Sequence, residues 1–170
     1  MAEPKPLLNF YLIDNLTQWG KLGEGAAVWQ FWGKVVTHLR NYMQPIASKA
    51  TGSVSGIEVW WVPEYWNPAP QGIDILVYIV PNPKYYSVIK KNGGDVSSVL
   101  SNDKILGLTN VSMKICEVYY DRCFQGSTKE VAGAAYHEAA HVKSNQGNEM
   151  HDKNNRFLRA DPDYNSTPSD

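Results

Sequence analysis

Ile73-Asp74-Ile75-Leu76-Val77-Tyr78-Ile79-Val80 is a nearly continuous apolar run that stops at Pro81. An apolar run of this length without polar alternation is typical of a β-strand that is covered on both faces. A second run, Ile57-Glu58-Val59-Trp60-Trp61-Val62, is rich in β-branched and aromatic residues and stops at Pro63, which predicts another strand. The three prolines between residues 63 and 72 predict that a loop joins the two strands.

A long amphipathic helix is predicted upstream of these strands. Its apolar residues recur at steps of three and four, which is the pattern of a helix that lies on a core. They are Val28, Phe31, Trp32, Val35, Leu39, Tyr42, Met43 and Ile46. Pro45 either kinks this helix or starts a new turn, and Thr51-Gly52-Ser53 ends it.

The other segments complete a chain of helix, strands and helix. Residues 1–20 contain apolar residues without a sustained period and are predicted to form an ordered N-terminal arm. Residues 113–120 alternate as in a strand, with Met113, Ile115 and Glu117 on one face. The tail over residues 160–170 is predicted to be irregular. This order predicts an α+β fold in which residues 1–170 form a single domain.

Composition excludes several classes of protein. Of the 170 residues, 43% are hydrophobic and 19% are charged, so a packed core is expected. The net charge of −1 argues against nucleic acid as the main partner. No apolar run approaches the roughly 20 residues that span a bilayer, and Met1–Pro6 does not open a signal peptide.

The two cysteines, Cys116 and Cys123, leave two alternatives open. They close a small loop by a disulfide, or they are two buried thiols. A composition with few Lys and Glu and many Asn, Ser, Tyr and Trp leans towards a secreted, extracellular protein. Neither cysteine has the spacing of a structural zinc site.

A second helix carries the candidate site. Ser127 and Glu130 have the spacing of a capping box, and small residues that favour a helix follow them. Inside this helix lies His137-Glu138-Ala139-Ala140-His141. Residues four apart lie on one face of a helix, so both imidazoles can reach one metal ion. Glu138 projects beside that ion, where it can take a proton from a water molecule.

A catalytic zinc ion takes three protein ligands and keeps one open position. Gly147 is predicted to end the helix and to turn the chain back. His151, beyond this turn, is the first choice for the third ligand and Asp152 is the alternative. Glu149, Asp161 and Asp163 are remoter options for the third ligand.

These residues resemble the signature of the zincin metallopeptidases, His-Glu-x-x-His. The resemblance implies one zinc ion held by His137 and His141, with Glu138 as the general base. It also implies a mixed β-sheet, which would pack on the long N-terminal helix and on the site helix. An edge strand, here Leu106–Met113, would bind an extended protein or peptide substrate. Ser144 and Gly147 depart from the metzincin pattern, while a looser likeness to SprT-like and WLM-type peptidases extends to His151.

The function predicted from these residues is that of a zinc-dependent endopeptidase. Three residues downstream are candidates for stabilising the oxyanion of the reaction: Arg156, Arg159 and Tyr164. Tyr136 is predicted to pack in the core, and His38 to lie at the surface or its boundary.

Two alternative functions belong to other classes of protein. The first is a catalytically silent binding protein on a zincin scaffold. The second is a metal-free module that binds peptide or carbohydrate through an aromatic cluster. The cluster consists of Trp60, Trp61, Tyr65 and Trp66.

Overall fold

The computed structural model describes residues 7–49, 56–63 and 74–144 of the chain. In this part it has five strands and four α-helices, which confirms the α+β prediction. The strands are β1 (Leu7–Asp14), β2 (Gly56–Pro63), β3 (Ile75–Val80), β4 (Gly107–Asn110) and β5 (Ile115–Tyr119). The helices are α1 (Ala26–Lys49), α2 (Val88–Lys91), α3 (Ser97–Ser101) and α4 (Thr128–Ser144). Short 3-10 turns lie at Thr17–Trp19, Tyr120–Arg122 and Phe124–Gly126.

The five strands form one mixed sheet in the order β2-β1-β3-β5-β4. β1 pairs in parallel with β2 and β3, and β3 pairs in parallel with β5. β4 is antiparallel to β5 and lies at the edge of the sheet. The sequence predicts this edge strand over Leu106–Met113, and the structure confirms its place with shorter bounds. The chain turns between β4 and β5 at Lys114, whose φ of 56° lies in the left-handed region.

The structure corrects the arm that the sequence predicts over residues 1–20, because Leu7–Asp14 is an interior strand. Its apolar residues show no helical period because the segment is a strand, with Leu8, Phe10 and Leu12 buried on one face and Leu7, Asn9 and Tyr11 exposed or half-buried on the other. The buried carboxylate of Asp14 ends the strand and accepts the backbone N–H groups of Leu16 (2.7 Å) and Thr17 (3.0 Å). It also accepts the indole N–H of Trp32 at 3.1 Å, which ties β1 to α1.

Different helices pack on the two faces of the sheet. α1 and α4 pack on one face, over a core that includes Leu12, Trp32 and Val77. A smaller cluster, with Val80, Ile89 and Val99, places α2 and α3 on the other face. β3 is therefore covered on both faces, as its apolar sequence predicts. The polar segment from 82 to 103 holds these two short helices, which the sequence does not predict.

Three further predictions have a clear outcome. The helix predicted from Val28 onward is α1, and it continues through Pro45 to Lys49. Cys116 and Cys123 are both free and buried, so the thiol alternative holds. In the described part, no helix combines the length and the apolar character that crossing a bilayer requires. The helix end at 51–53, the loop at 64–72 and the tail at 160–170 lie outside the described residues.

Candidate metal centre

The capping residues predicted for α4 are present, but they bond differently from a full capping box. The hydroxyl of Ser127 accepts the N–H of Glu130 at 3.3 Å, which satisfies one of the free donors at the helix start. The carboxylate of Glu130 reaches past Ser127 and accepts the N–H of Phe124 at 2.9 Å. It thereby fixes the 3-10 turn that leads into α4.

Small side chains let α4 lie close to the sheet. Ala132, Ala134, Ala135 and Ala139 are all buried in the core on this side. Tyr136 is buried in the same core, as the sequence predicts. The close packing holds the next residues of the helix, which carry the candidate site, beneath the surface.

His137 and His141 lie one helical turn apart and face each other. Their Nε2 atoms are 3.3 Å apart, and their ring planes meet at 73°. The two side chains are buried, with 6% and 8% of their surface exposed. With neutral rings, one Nε2–H can donate to the other ring at this distance.

The spacing of the two rings also fits one metal ion. Two imidazole nitrogens at about 2.0–2.1 Å from a tetrahedral zinc ion lie about 3.3–3.4 Å from each other. A carboxylate oxygen of Glu138 joins them, since ligand atoms of all three residues lie within 4.8 Å of one another. This group is thus positioned to bind a metal ion. Across the described ranges, no other cluster of three or more His, Cys, Asp or Glu side chains has such geometry.

The carboxyl group of Glu138 has a raised pKa. Burial raises the pKa of its carboxyl to about 8, against the lowering effect of a hydrogen bond from Thr109, and the charge of Glu117 raises it further. The Thr109 hydroxyl lies 3.1 Å from Oε2 of Glu138. A carboxylate whose pKa lies near neutrality is a better proton acceptor than an exposed one. The position beside two imidazoles is suited to a general base.

The edge strand approaches α4 closely at Gly107. A Cβ atom at this position would lie 2.8 Å from Cγ of Glu138 and 2.8 Å from the backbone oxygen of Glu117. Real Cβ atoms essentially never come so near to other atoms. Glycine is therefore the residue that lets β4 pack against the Glu138 side chain.

A second buried carboxylate, Glu117 on β5, lies on the opposite face of the sheet from α4. Its Oε1 accepts the hydroxyls of Ser87 (2.6 Å) and Tyr119 (2.8 Å). Its Oε2 accepts the N–H groups of Val88 (2.9 Å) and Ile89 (3.3 Å) at the start of α2. The sequence places Glu117 in a strand but does not predict this network. A charged residue inside an otherwise apolar strand is the signal for it.

The other candidates from the sequence are His38, predicted to lie at the surface or its boundary, and a group of residues downstream of α4. His38 is half-buried on α1, where its ring stacks on Tyr42, and it is not part of the candidate metal centre. The third-ligand candidates His151 and Asp152 lie outside the described residues. So do the remaining downstream candidates, Glu149, Arg156, Arg159, Asp161, Asp163 and Tyr164.

The two tryptophans of the predicted aromatic cluster that the structure describes have different surroundings. Trp60 is 48% exposed on β2, whereas Trp61 stacks on the buried Trp32 with ring centroids 5.9 Å apart. Trp61 also lines a groove of about 1000 Å³ together with Trp29 and Pro63, near the carboxyl ends of β1 and β2. Tyr65 and Trp66 lie outside the described residues. β1 and β2, whose ends line the groove, are separated by β3 and β5 from β4, the strand that packs against Glu138.

Comparison with known proteins adds no relative. No protein-family model matches the chain, and no curated protein matches it either. The zincin resemblance therefore depends on the sequence pattern from His137 to His141, with which the grouping of these side chains is compatible.

Proposed function

We propose that the protein is a zinc-dependent endopeptidase of the zincin type. The observation that carries the proposal is the pair of facing imidazoles of His137 and His141, with Glu138 buried between them and the edge strand. Under the proposal, the two histidines hold zinc, and His151 or Asp152 supplies the third ligand. The donor set suits zinc, which binds imidazole and carboxylate groups.

The chemistry divides between the ion and the side chains. Zinc, when bound, supplies a Lewis acid that polarises the peptide carbonyl and acidifies water. Glu138 accepts a proton from the attacking water and passes it to the leaving amine. Its burial strengthens it as a proton acceptor.

The shape of the sheet also supports the proposal. β4 is antiparallel, lies at the edge and packs against α4 through Gly107 and Thr109. The zincin resemblance implies such a strand in front of the site helix. Its outer edge offers backbone groups to which an extended peptide can bind by strand addition.

The test has two stages. Elemental analysis of the purified wild type is expected to give one zinc ion per chain. His141→Ala is expected to lose the ion, and His38→Ala serves as the matched control that keeps it. His151→Ala and Asp152→Ala, measured in the same way, separate the two third-ligand candidates.

The second stage measures cleavage of a peptide library. The wild type is expected to cleave, and Glu138→Gln is expected to bind zinc without cleaving. Wild-type protein that takes up no zinc, even when zinc is added back, rules out the metallopeptidase. Zinc binding without any cleavage favours a silent binding protein on the same scaffold.

The groove beside Trp29 and Trp61 favours a second candidate function, that of a metal-free module for peptide or carbohydrate. Trp29 is 69% exposed. An exposed aromatic face at a groove suits stacking on a sugar ring or on a peptide. Tryptophan fluorescence titrations with oligosaccharides and peptides test this candidate, with Trp29→Ala expected to lose the response and Trp19→Ala as the control.

A further inference from the structure

The face of β4 that packs on α4 carries two residues, Gly107 and Thr109, and both contact Glu138. Gly107 leaves room for the Glu138 side chain, since a Cβ there would lie 2.8 Å from Cγ. Two residues along the strand, the Thr109 hydroxyl lies 3.1 Å from Oε2 of the same side chain. The strand therefore contacts Glu138 at its methylene groups and at its carboxylate.

The Thr109 hydroxyl has one proton and several acceptors within reach. The backbone oxygen of Glu138 is 3.0 Å away, and Sγ of Cys116 is 3.5 Å away. That backbone oxygen lies inside α4, where the amide four residues later is its ordinary partner. It also lies 3.4 Å from the Cys116 thiol, which can donate to it. In its charged form, which is the form that accepts a proton from water, the Glu138 carboxylate is a stronger acceptor than the backbone oxygen, so the Thr109 proton goes to Oε2 in that form.

We propose that Thr109 is a positioning residue, whose hydroxyl orients the carboxylate of Glu138 towards the space beside His137 and His141. The inference rests on the proposed function, because it concerns the base of that reaction. The Glu138 side chain has several rotatable bonds, and the hydroxyl of Thr109 bonds one of its two carboxylate oxygens. The pairing of β4 with β5 holds the strand that carries this donor, so the donor has a fixed position.

A purely structural role for Thr109 predicts different results. If the hydroxyl only helps to dock α4 on the sheet, its loss lowers stability and leaves turnover unchanged. If it orients the base, its loss lowers kcat while KM and zinc content stay the same. The expected loss is about 10- to 100-fold in rate, which converts to about 1.4–2.7 kcal/mol and is the usual size of a hydrogen bond to a charged group.

The experiment compares Thr109→Val, which removes the hydroxyl, with Thr109→Ser, which keeps it. Thr37→Val on the exposed side of α1 is the matched control, since its hydroxyl bonds the backbone oxygen of Gly33 within the same helix. Zinc content, kcat and KM are measured for each protein. Thr109→Val is expected to lose about 10- to 100-fold in kcat, and Thr109→Ser is expected to recover most of it.

A second readout does not depend on activity. The infrared band that disappears in Glu138→Gln identifies the Glu138 carboxyl group, and this band is expected to shift in Thr109→Val and to stay in place in Thr37→Val. An active wild type together with an equally active Thr109→Val overturns the inference. If the wild type binds zinc but does not cleave, the proposed function fails. The infrared band alone then decides whether Thr109 orients the Glu138 carboxylate. An unshifted band in Thr109→Val then overturns the positioning role.

Discussion

Replacing Glu117 by alanine removes the acceptor of four hydrogen bonds inside the core. The side chain is fully buried. Its donors are the hydroxyls of Ser87 and Tyr119 and the amides of Val88 and Ile89. Hydroxyls can rotate to new partners, but the two amides belong to the first turn of α2 and have no partner within that helix.

The cost of the change can be estimated from these two amides. A buried donor left without an acceptor costs about 1–3 kcal/mol, so Glu117→Ala is expected to lose about 2–6 kcal/mol of unfolding free energy before any cavity is counted. Glu117→Gln is the matched control. The amide oxygen of the glutamine can accept from both N–H groups, while its NH₂ group donates to the hydroxyls. The variant is therefore expected to lose no more than about 1 kcal/mol of unfolding free energy.

Urea unfolding at pH 7, followed by circular dichroism, measures both variants against the wild type. The midpoint of Glu117→Ala is expected to fall far below that of Glu117→Gln at an unchanged slope. If the two variants unfold within about 1 kcal/mol of each other, the reasoning about the amides is refuted.

The difference in unfolding free energy between the wild type and Glu117→Gln is expected to change with pH in one direction. Burial raises the pKa of Glu117 above its ordinary value of 4.5, against the hydrogen bonds from Ser87, Tyr119, Ile89 and Val88. Because the folded-state pKa is the higher one, the stability from Glu117 is complete below pH 4.5 and is lost as the pH rises through the folded-state value. The glutamine in Glu117→Gln has no carboxyl group to titrate. The unfolding free energy of this variant is therefore expected to rise relative to that of the wild type between pH 4 and pH 7. A difference between the two that does not change with pH would contradict the raised pKa.

Two further predictions concern packing. Gly107→Ala is expected to destabilise the protein by about 1–3 kcal/mol and to lower any peptidase activity, because the new Cβ meets Glu138; urea unfolding checks it. Gly33→Ala on α1, where a Cβ meets nothing within 4 Å, is the control and is expected to gain about 0.5–1 kcal/mol. Equal effects of the two changes would contradict the close approach at β4. Cys116 and Cys123 are expected to react with a thiol reagent only after unfolding, since both are free and buried and burial raises the pKa of Cys123 to about 12. Fast labelling of the folded protein would argue against their burial.

The local part of the site could be predicted from sequence. His137 and His141 are one turn apart on a helix, so a spacing of four residues is enough to place them together. The start of that helix could be predicted in the same way, from Ser127 and Glu130. These features depend on contacts within a few residues, which a pattern in the sequence records directly.

The contacts of Glu138 could not be predicted, because they come from another element. Thr109 and Gly107 reach it only after β4 pairs with β5 and α4 packs on both. β1 was missed for a related reason. Its place in the middle of the sheet depends on strands that come much later in the chain. Apolar residues on its less buried face, Leu7 and Tyr11, obscure in the sequence the alternation that would mark a strand.

The long-range pairing of β1 has a consequence for how the chain folds. Leu7 pairs with Gly56, and Phe10 pairs with Ile75. At about 5–20 residues per second of synthesis, β1 leaves the ribosome several seconds before β3 is available to pair with it. An apolar strand that waits this long depends on slow, non-local pairing. α4 is made later still, so the helix that carries the two histidines can pack on the sheet only after all five strands have been made.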